Sequence, residues 1–199
     1  MQRVLLIASS LVGLTFLGCG TAAAEPLATA TPALSSCPTD VPPSLAVGPG
    51  EQLWRSFPAE GVQIYACTAT GWVFESPDAL LLKRDGDDGE GDRVIVGHHF
   101  AGPTWEYKDH SFVVGARVAG FPSPLPGAIP WLLLKATSTS PGGRFSAVTS
   151  IQRLDTTGGV APATGCDGTT LGAKARVPYT ATYYFYRAAS DHKDGQDCH

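Results

Sequence analysis

The stretch Arg176-Val177-Pro178-Tyr179-Thr180-Ala181-Thr182-Tyr183-Tyr184-Phe185-Tyr186-Arg187 decides the fold class. Val177, Tyr179, Ala181, Tyr183 and Phe185 fall on one face, while Thr180, Thr182, Tyr184 and Tyr186 fall on the other. A two-residue period over this length is that of a β-strand. The first set reads as core. The second sets hydroxyls over rings, a face that packs against neighbouring strands or stacks a sugar or an aromatic ligand. Tyr184 and Tyr186 are therefore candidate ligand contacts.

Working back from this strand, short β-branched and aromatic runs recur at 62–67, 72–75, 79–83, 93–100, 104–108, 112–119, 130–138 and 146–154. Turn signals separate them: Thr70-Gly71, Asp85-Gly86, Gly102-Pro103, the stretch from Pro122 to Pro126, Pro141-Gly142-Gly143 and Gly158-Gly159. No window keeps apolar residues at i, i+3, i+4 and i+7 for three turns, so long helices are not expected. The expectation is an all-β domain over 45–189, an antiparallel sandwich or closed barrel of about eight or nine strands. Residues 19–44, rich in Ala, Thr, Pro and Ser, read as a disordered tether pinned late by Cys37, and 190–199 as a polar tail.

The 199 residues carry 14 basic and 18 acidic side chains, a net charge of −4, with the basic ones scattered singly. Such a chain has no surplus with which to neutralise phosphates, which argues against a nucleic-acid partner. Arg3 followed by an apolar run from Val4 to Gly18 reads as a signal peptide over 1–18, too short for a normal membrane span. Phe16-Leu17-Gly18-Cys19 resembles a lipobox, which would lipidate Cys19 and leave the lipid as the protein's membrane contact. Cleavage after Ala22-Ala23-Ala24 would instead release a soluble protein. The lipobox is the favoured reading, placing the domain in the cell envelope, at the outer membrane or cell surface. The alternative is a soluble secreted or periplasmic form.

Beyond Cys19, four cysteines remain in an oxidising compartment, where two disulfides are expected. Three connectivities are possible. The positions favour Cys67–Cys166 within the domain and Cys37–Cys198 joining its ends. A bridge closing about 100 residues contributes roughly 4 to 5 kcal/mol on the chain-entropy account.

Asp85-Gly86-Asp87-Asp88-Gly89-Glu90-Gly91-Asp92 is the best local metal candidate, with Asp85, Asp87 and Asp92 as weak calcium ligands. It misses the EF-hand pattern and equally describes a solvated hairpin tip. His98, His99, Glu106 and His110 cluster around the Gly102-Pro103 turn. His98 and His99 must face opposite ways on a strand, and either one could approach Glu106 or His110 across a hairpin as an acid–base pair. A buried, hydrogen-bonded histidine is the plainer reading. The sequence contains no GxSxG, HExxH, P-loop or GxGxxG, and no cofactor is implied beyond the weak calcium reading.

Five ordered stretches, Gly61-Val62-Gln63-Ile64-Tyr65-Ala66-Cys67, 96–106 around Gly97-His98-His99-Phe100, Ile129-Pro130-Trp131-Leu132-Leu133-Leu134, 151–159 from Ile151-Gln152-Arg153-Leu154-Asp155 to Gly159, and Arg176-Val177-Pro178-Tyr179-Thr180-Ala181, carry a resemblance. Together they are similar to the exported bacterial and fungal family called domain of unknown function 3455, over about 41–187. The resemblance implies one secreted β-rich domain and a Cys67–Cys166 bridge, and it implies no activity. If the family has a site, its residues here would be His99, Trp105 and Glu106, with Arg153 and Asp155 as polar company.

Three functions compete: a binding or interaction module of the cell envelope, which is favoured, a purely structural envelope protein, and a hydrolase-like or metal-dependent enzyme centred on His99 and Glu106.

Overall fold

The computed structural model describes residues 37–84, 91–189 and 198. The signal peptide, Cys19, most of the tether, Asp85, Asp87 and all of the tail except Cys198 lie outside the described residues. Eight antiparallel strands follow one another: β1 (Glu51–Thr68), β2 (Gly71–Arg84), β3 (Arg93–Phe100), β4 (Thr104–Tyr107), β5 (Phe112–Phe121), β6 (Trp131–Thr139), β7 (Val148–Gly158) and β8 (Lys174–Ala188). Each pairs with the next, and β8 pairs back onto β1, so the sheet closes as a barrel with no free edge. Closure, and not a sandwich, is the observed solution.

The expected runs at 72–75 and 79–83 are one strand, continuous through Pro77, with a register shift opposite Ile64 and Tyr65 that accommodates the irregularity. β1 starts at Glu51, well before the run expected from Val62, because Pro58 and Gly61 look like breakers but sit inside a strand paired on both sides.

Alternation sends one set of side chains into the barrel. At the end where β1 begins, the interior is filled by aromatic rings: Trp54, Phe57, Tyr107 and Phe185, with Phe145 inserted from the β6–β7 connection. Phe145 stacks on Phe185 at 4.6 Å between centroids and meets Tyr107 edge-on at 5.5 Å. Its position is fixed because Phe145 N donates to Ser111 Oγ at 2.9 Å, while Arg144 N donates to Asp109 Oδ2 at 2.9 Å.

Part of the stretch expected as tether packs on the barrel. A 3₁₀ turn at Pro43–Leu45 drives Leu45, fully buried, onto the outer faces of Trp131, Leu133 and Leu154, with Val41 and Val47 beside it. Gln152 Nε2 donates to Leu45 O at 2.7 Å, and Tyr186 Oη donates to Gln152 Oε1 at 2.6 Å. The apolar side chains in 41–47 are few, but the outer face of β6 to β8 supplies their partners. Disulfides join Cys37 to Cys198 and Cys67 to Cys166.

Residues 37–47 form a strap that is anchored where the chain enters β1. Glu51 is buried, and its carboxylate accepts from Lys135 Nζ at 2.7 Å, Thr149 Oγ1 at 2.5 Å, Ser150 Oγ at 2.7 Å and Gly48 N at 3.1 Å. Burial alone would push this carboxyl up; the donated hydrogen bonds and the Lys135 charge outweigh it and hold the group below its usual value. A depressed carboxyl contributes stability that is present above the unfolded value, near 4.5, and is lost as pH falls through the folded one. Glu51→Gln is expected to cost about 1–3 kcal/mol at pH 7. The difference from the parent should vanish once Glu51 is protonated, read from urea midpoints across the acid range.

Candidate functional site

β3 and β4 show how the site is built. Register pairs His98 with Glu106 and His99 with Trp105. Directly opposed residues share a face, so His99 and Trp105 enter the barrel while His98 and Glu106 point outward. The expected His99–Glu106 acid–base pair therefore does not form: the two side chains lie on opposite faces of the sheet. Outside, His98 Nε2 sits 2.9 Å from Asp78 Oδ1, Arg176 Nη2 donates to Asp78 Oδ2 at 2.5 Å, and His110 Nδ1 lies 3.3 Å from Glu106 Oε1.

At the end opposite the aromatic plug, the interior is not filled. A cavity of about 550 Å³ is lined by His99, Trp105 and Tyr183, by Leu132, Leu134, Pro77 and Pro103, and by the polar side chains of Gln63, Arg153, Glu75 and Arg117. The volume and the mostly apolar wall are those of a small-molecule site. Gly115, also in the lining, lets Trp105 and Leu134 close in on the backbone of β5, since a Cβ there would lie 3.1 Å from Trp105 Cζ3 and 3.3 Å from Leu134 Cβ. On the β7–β8 side the same end is sealed. There Gly159, at φ +82°, lets Ile129 and Tyr179 close together, and a Cβ would meet Tyr179 Cβ at 2.9 Å. Tyr65 Oη donates to Gly159 O at 2.6 Å to hold the seal.

His99 stacks on Trp105, with 4.2 Å between ring centroids and 5° between planes, and meets Tyr183 edge-on at 5.1 Å. Its Nδ1 lies 2.9 Å from Thr104 O, which can only accept, so Nδ1 carries the proton and Nε2 is left as an acceptor. Burial drives the imidazole pKa down to about 3, the Thr104 hydrogen bond opposing and the Arg153 charge adding to the fall. The ring is neutral throughout the physiological range. Burial likewise raises the Tyr183 hydroxyl, which stays protonated 3.2 Å from Tyr179 Oη.

Arg153 reaches the cavity because it alternates with Ile151 on the inward face of β7 and opposes Tyr183 on β8. Its Nε and Nη2 donate to Pro130 O at 3.2 and 2.8 Å. Among the described residues, Gln63 Nε2 and Trp105 Nε1, on side chains that are 2% and 1% exposed, have no acceptor within hydrogen-bond distance, as is also true of Trp131 Nε1 under the outer-face cluster. A buried donor left unpaired costs about 1–3 kcal/mol, so two around one cavity need a reason.

Of the sequence candidates, His99, Trp105 and Arg153 meet in this cavity. Asp155, in the left-handed region at φ +52°, accepts from Tyr184 Oη at 3.4 Å, and Tyr184 and Tyr186 lie on the outer face, Tyr186 beneath the strap. Burial, with the Asp155 charge, pushes the Tyr184 hydroxyl up to about 12. Asp92 is exposed, and among the described residues no three His, Cys, Asp or Glu side chains gather as a metal site would require. Gln63 and Tyr183 join His99, Trp105 and Arg153 in the lining without a motif to mark them in the sequence. The available signal was a polar or hydroxylated residue on the core-facing set of an alternating strand.

A family model described as protein of unknown function (DUF3455) matches residues 49–187, and the chain belongs to that family. No curated protein and no solved structure matches it.

A histidine held neutral in the native state but free to protonate when unfolded contributes stability that is complete above the unfolded pKa, near 6.5, and declines as pH falls toward the folded value near 3. The denaturation midpoint of the protein is therefore expected to drop from pH 7 to pH 5, before carboxylates titrate. His99→Gln should flatten most of that slope, measured by urea denaturation at closely spaced pH values.

Proposed function

We propose that this domain is an exported small-molecule-binding module, displayed on the cell envelope through a lipid on Cys19. The observation that carries the reading is the half-filled barrel. One end is packed with five aromatic rings, while the other keeps about 550 Å³ open beside Gln63 and Trp105, whose buried Nε2 and Nε1 have no acceptor within hydrogen-bond distance among the described residues. A protein selected only for rigidity would gain by filling such a space, since cavities and unpaired donors each destabilise. A ligand that enters the space supplies both the missing contacts and the missing acceptors. Eight-stranded barrels have an interior of the right width for one small ligand. The neutral His99, stacked on Trp105 and facing away from Glu106, is a wall and an acceptor in this reading, with no acid–base partner at hand.

The test uses the neutral fluorophore N-phenyl-1-naphthylamine with the purified, oxidised protein. Binding in the cavity is expected to enhance and blue-shift its emission. Leu132→Trp, which adds bulk at a lining position directly opposite Arg153, should abolish the enhancement while leaving the melting transition cooperative. No enhancement with the folded protein, or an enhancement that survives in folded Leu132→Trp, overturns the proposal.

A further inference from the structure

The geometry points to an amphipathic carboxylate as the ligand, its head on Arg153, Gln63 and Trp105 and its apolar body directed toward Phe74 and the open end. This inference rests on the cavity-binding reading and narrows it to one chemical class. Its basis is an imbalance between donors and acceptors. Among the described residues, Trp105 Nε1 and Gln63 Nε2 have no acceptor within hydrogen-bond distance, Gln63 facing only the neutral Tyr179 hydroxyl. Arg153 places a permanent positive charge in the lining and, among the described residues, has no carboxylate within ion-pair distance. Its Nε and Nη2 donate to Pro130 O, and its guanidinium also faces the Tyr183 hydroxyl, so none of these neighbours carries a negative charge.

The charged and titratable groups around the space do not correct the imbalance. Glu75 is the one carboxylate in the lining, and it is paired with Lys174. Arg117, exposed at the mouth, adds a second positive charge. His99 has committed its Nδ1 proton to Thr104 O, and the Tyr183 hydroxyl is shared with Tyr179. A cation would meet guanidinium with no free counter-charge. A neutral ligand would leave that charge uncompensated inside an apolar wall. A planar carboxylate matches both the charge and the fork of the guanidinium.

The apolar half of the ligand is argued from the rim. Most of the large hydrophobic side chains left exposed in the domain lie at the open end, among them Phe74 at the start of β2, Val118 and Phe121 at the end of β5, and Leu125 in the connection that follows. Phe74 is half exposed and also lines the cavity. An alkyl or aryl body leaving the polar floor therefore continues along apolar surface instead of entering water.

The experiment is displacement of N-phenyl-1-naphthylamine by three probes of equal chain length: decanoate, 1-decanol and decylammonium. Decanoate is expected to displace at a concentration tenfold or more below that of decanol, and decylammonium to be weakest. Arg153→Gln should weaken decanoate about ten- to a hundredfold and leave decanol unchanged, a range consistent with loss of a charged hydrogen bond. Arg153→Lys should recover part of the loss. Because Arg153 also holds Pro130 O, Gln63→Leu serves as the second variant: it should weaken decanoate while the ligand-free melting temperature holds or rises, since an unpaired donor is removed. Equal displacement by decanoate and decanol, or strongest displacement by decylammonium, overturns the carboxylate while cavity binding stands. Failure of the fluorophore to bind at all overturns the cavity reading itself.

Discussion

Everything in this domain depends on the pairing of β1 with β8. From Glu51 opposite Ala188 to Ala66 opposite Lys174, these two strands run side by side along nearly their whole length, and their union turns an eight-strand meander into a closed surface. In an open sheet, a strand can expose one face to water and leave an edge unpaired. Closure removes the edge, and it also forces alternate residues of every strand into one shared interior. Interior composition then becomes a matter of volume. With large rings at every inward position the barrel would be solid, whereas the inward face of β5 carries Gly115, with no side chain, beside the cavity.

The domain spends its rings unevenly. Trp54, Phe57, Tyr107, Phe145 and Phe185 crowd one end, each ring in contact with another, and Trp54 and Phe57 tie this cluster to β1. The other end is stiffened differently, by the Cys67–Cys166 bridge and by the seal that Ile129, Gly159 and Tyr179 form on one side. The cavity wall is thus held by covalent and hydrogen-bonded supports outside it rather than by packing within it. This division lets unpaired N–H groups persist: the loss they impose is local, while the aromatic end and the two disulfides carry the fold.

Much of this architecture is legible in the residues, and the exceptions have physical causes. The alternation from Val177 to Phe185 is visible because no bulge interrupts it, and its inward residues from Tyr179 to Phe185 are buried, joined on the outer face by Tyr186 beneath the strap. The split of His98 from His99 follows from the same period. The side taken by Glu106 does not, because it depends on how many residues the turn after Phe100 consumes, and the observed register sets Glu106 against His98. β1 was legible only in its second half, since Pro58 and Gly61 break a local pattern that pairing on both flanks sustains. The strap was hidden for a different reason: 37–47 contains few large apolar residues, and the partners that bury Leu45 come from strands about 90 to 110 positions away. Arg153 was visible as polar company near Asp155, yet the two diverge, one facing the cavity and the other turning to Tyr184.

A buried polar group in a β-barrel has two ordinary explanations, a structural network or a ligand, and the domain contains an example of each. Glu51 answers every buried demand around it: four donors converge on two oxygens, and the result ties the strap to the barrel. Gln152 does the same between Leu45 and Tyr186. The cavity groups belong to the same sheet, but Gln63 Nε2 and Trp105 Nε1 have no acceptor within hydrogen-bond distance among the described residues, and the guanidinium of Arg153 in the same lining has no carboxylate. Where the chain has shown that it can complete a buried network on one face of β7, at Gln152, the incomplete one on the other face, at Arg153, is the more telling. Completing it would require a carboxylate from within the chain at the cavity, and Glu75, the one present there, is drawn away by Lys174.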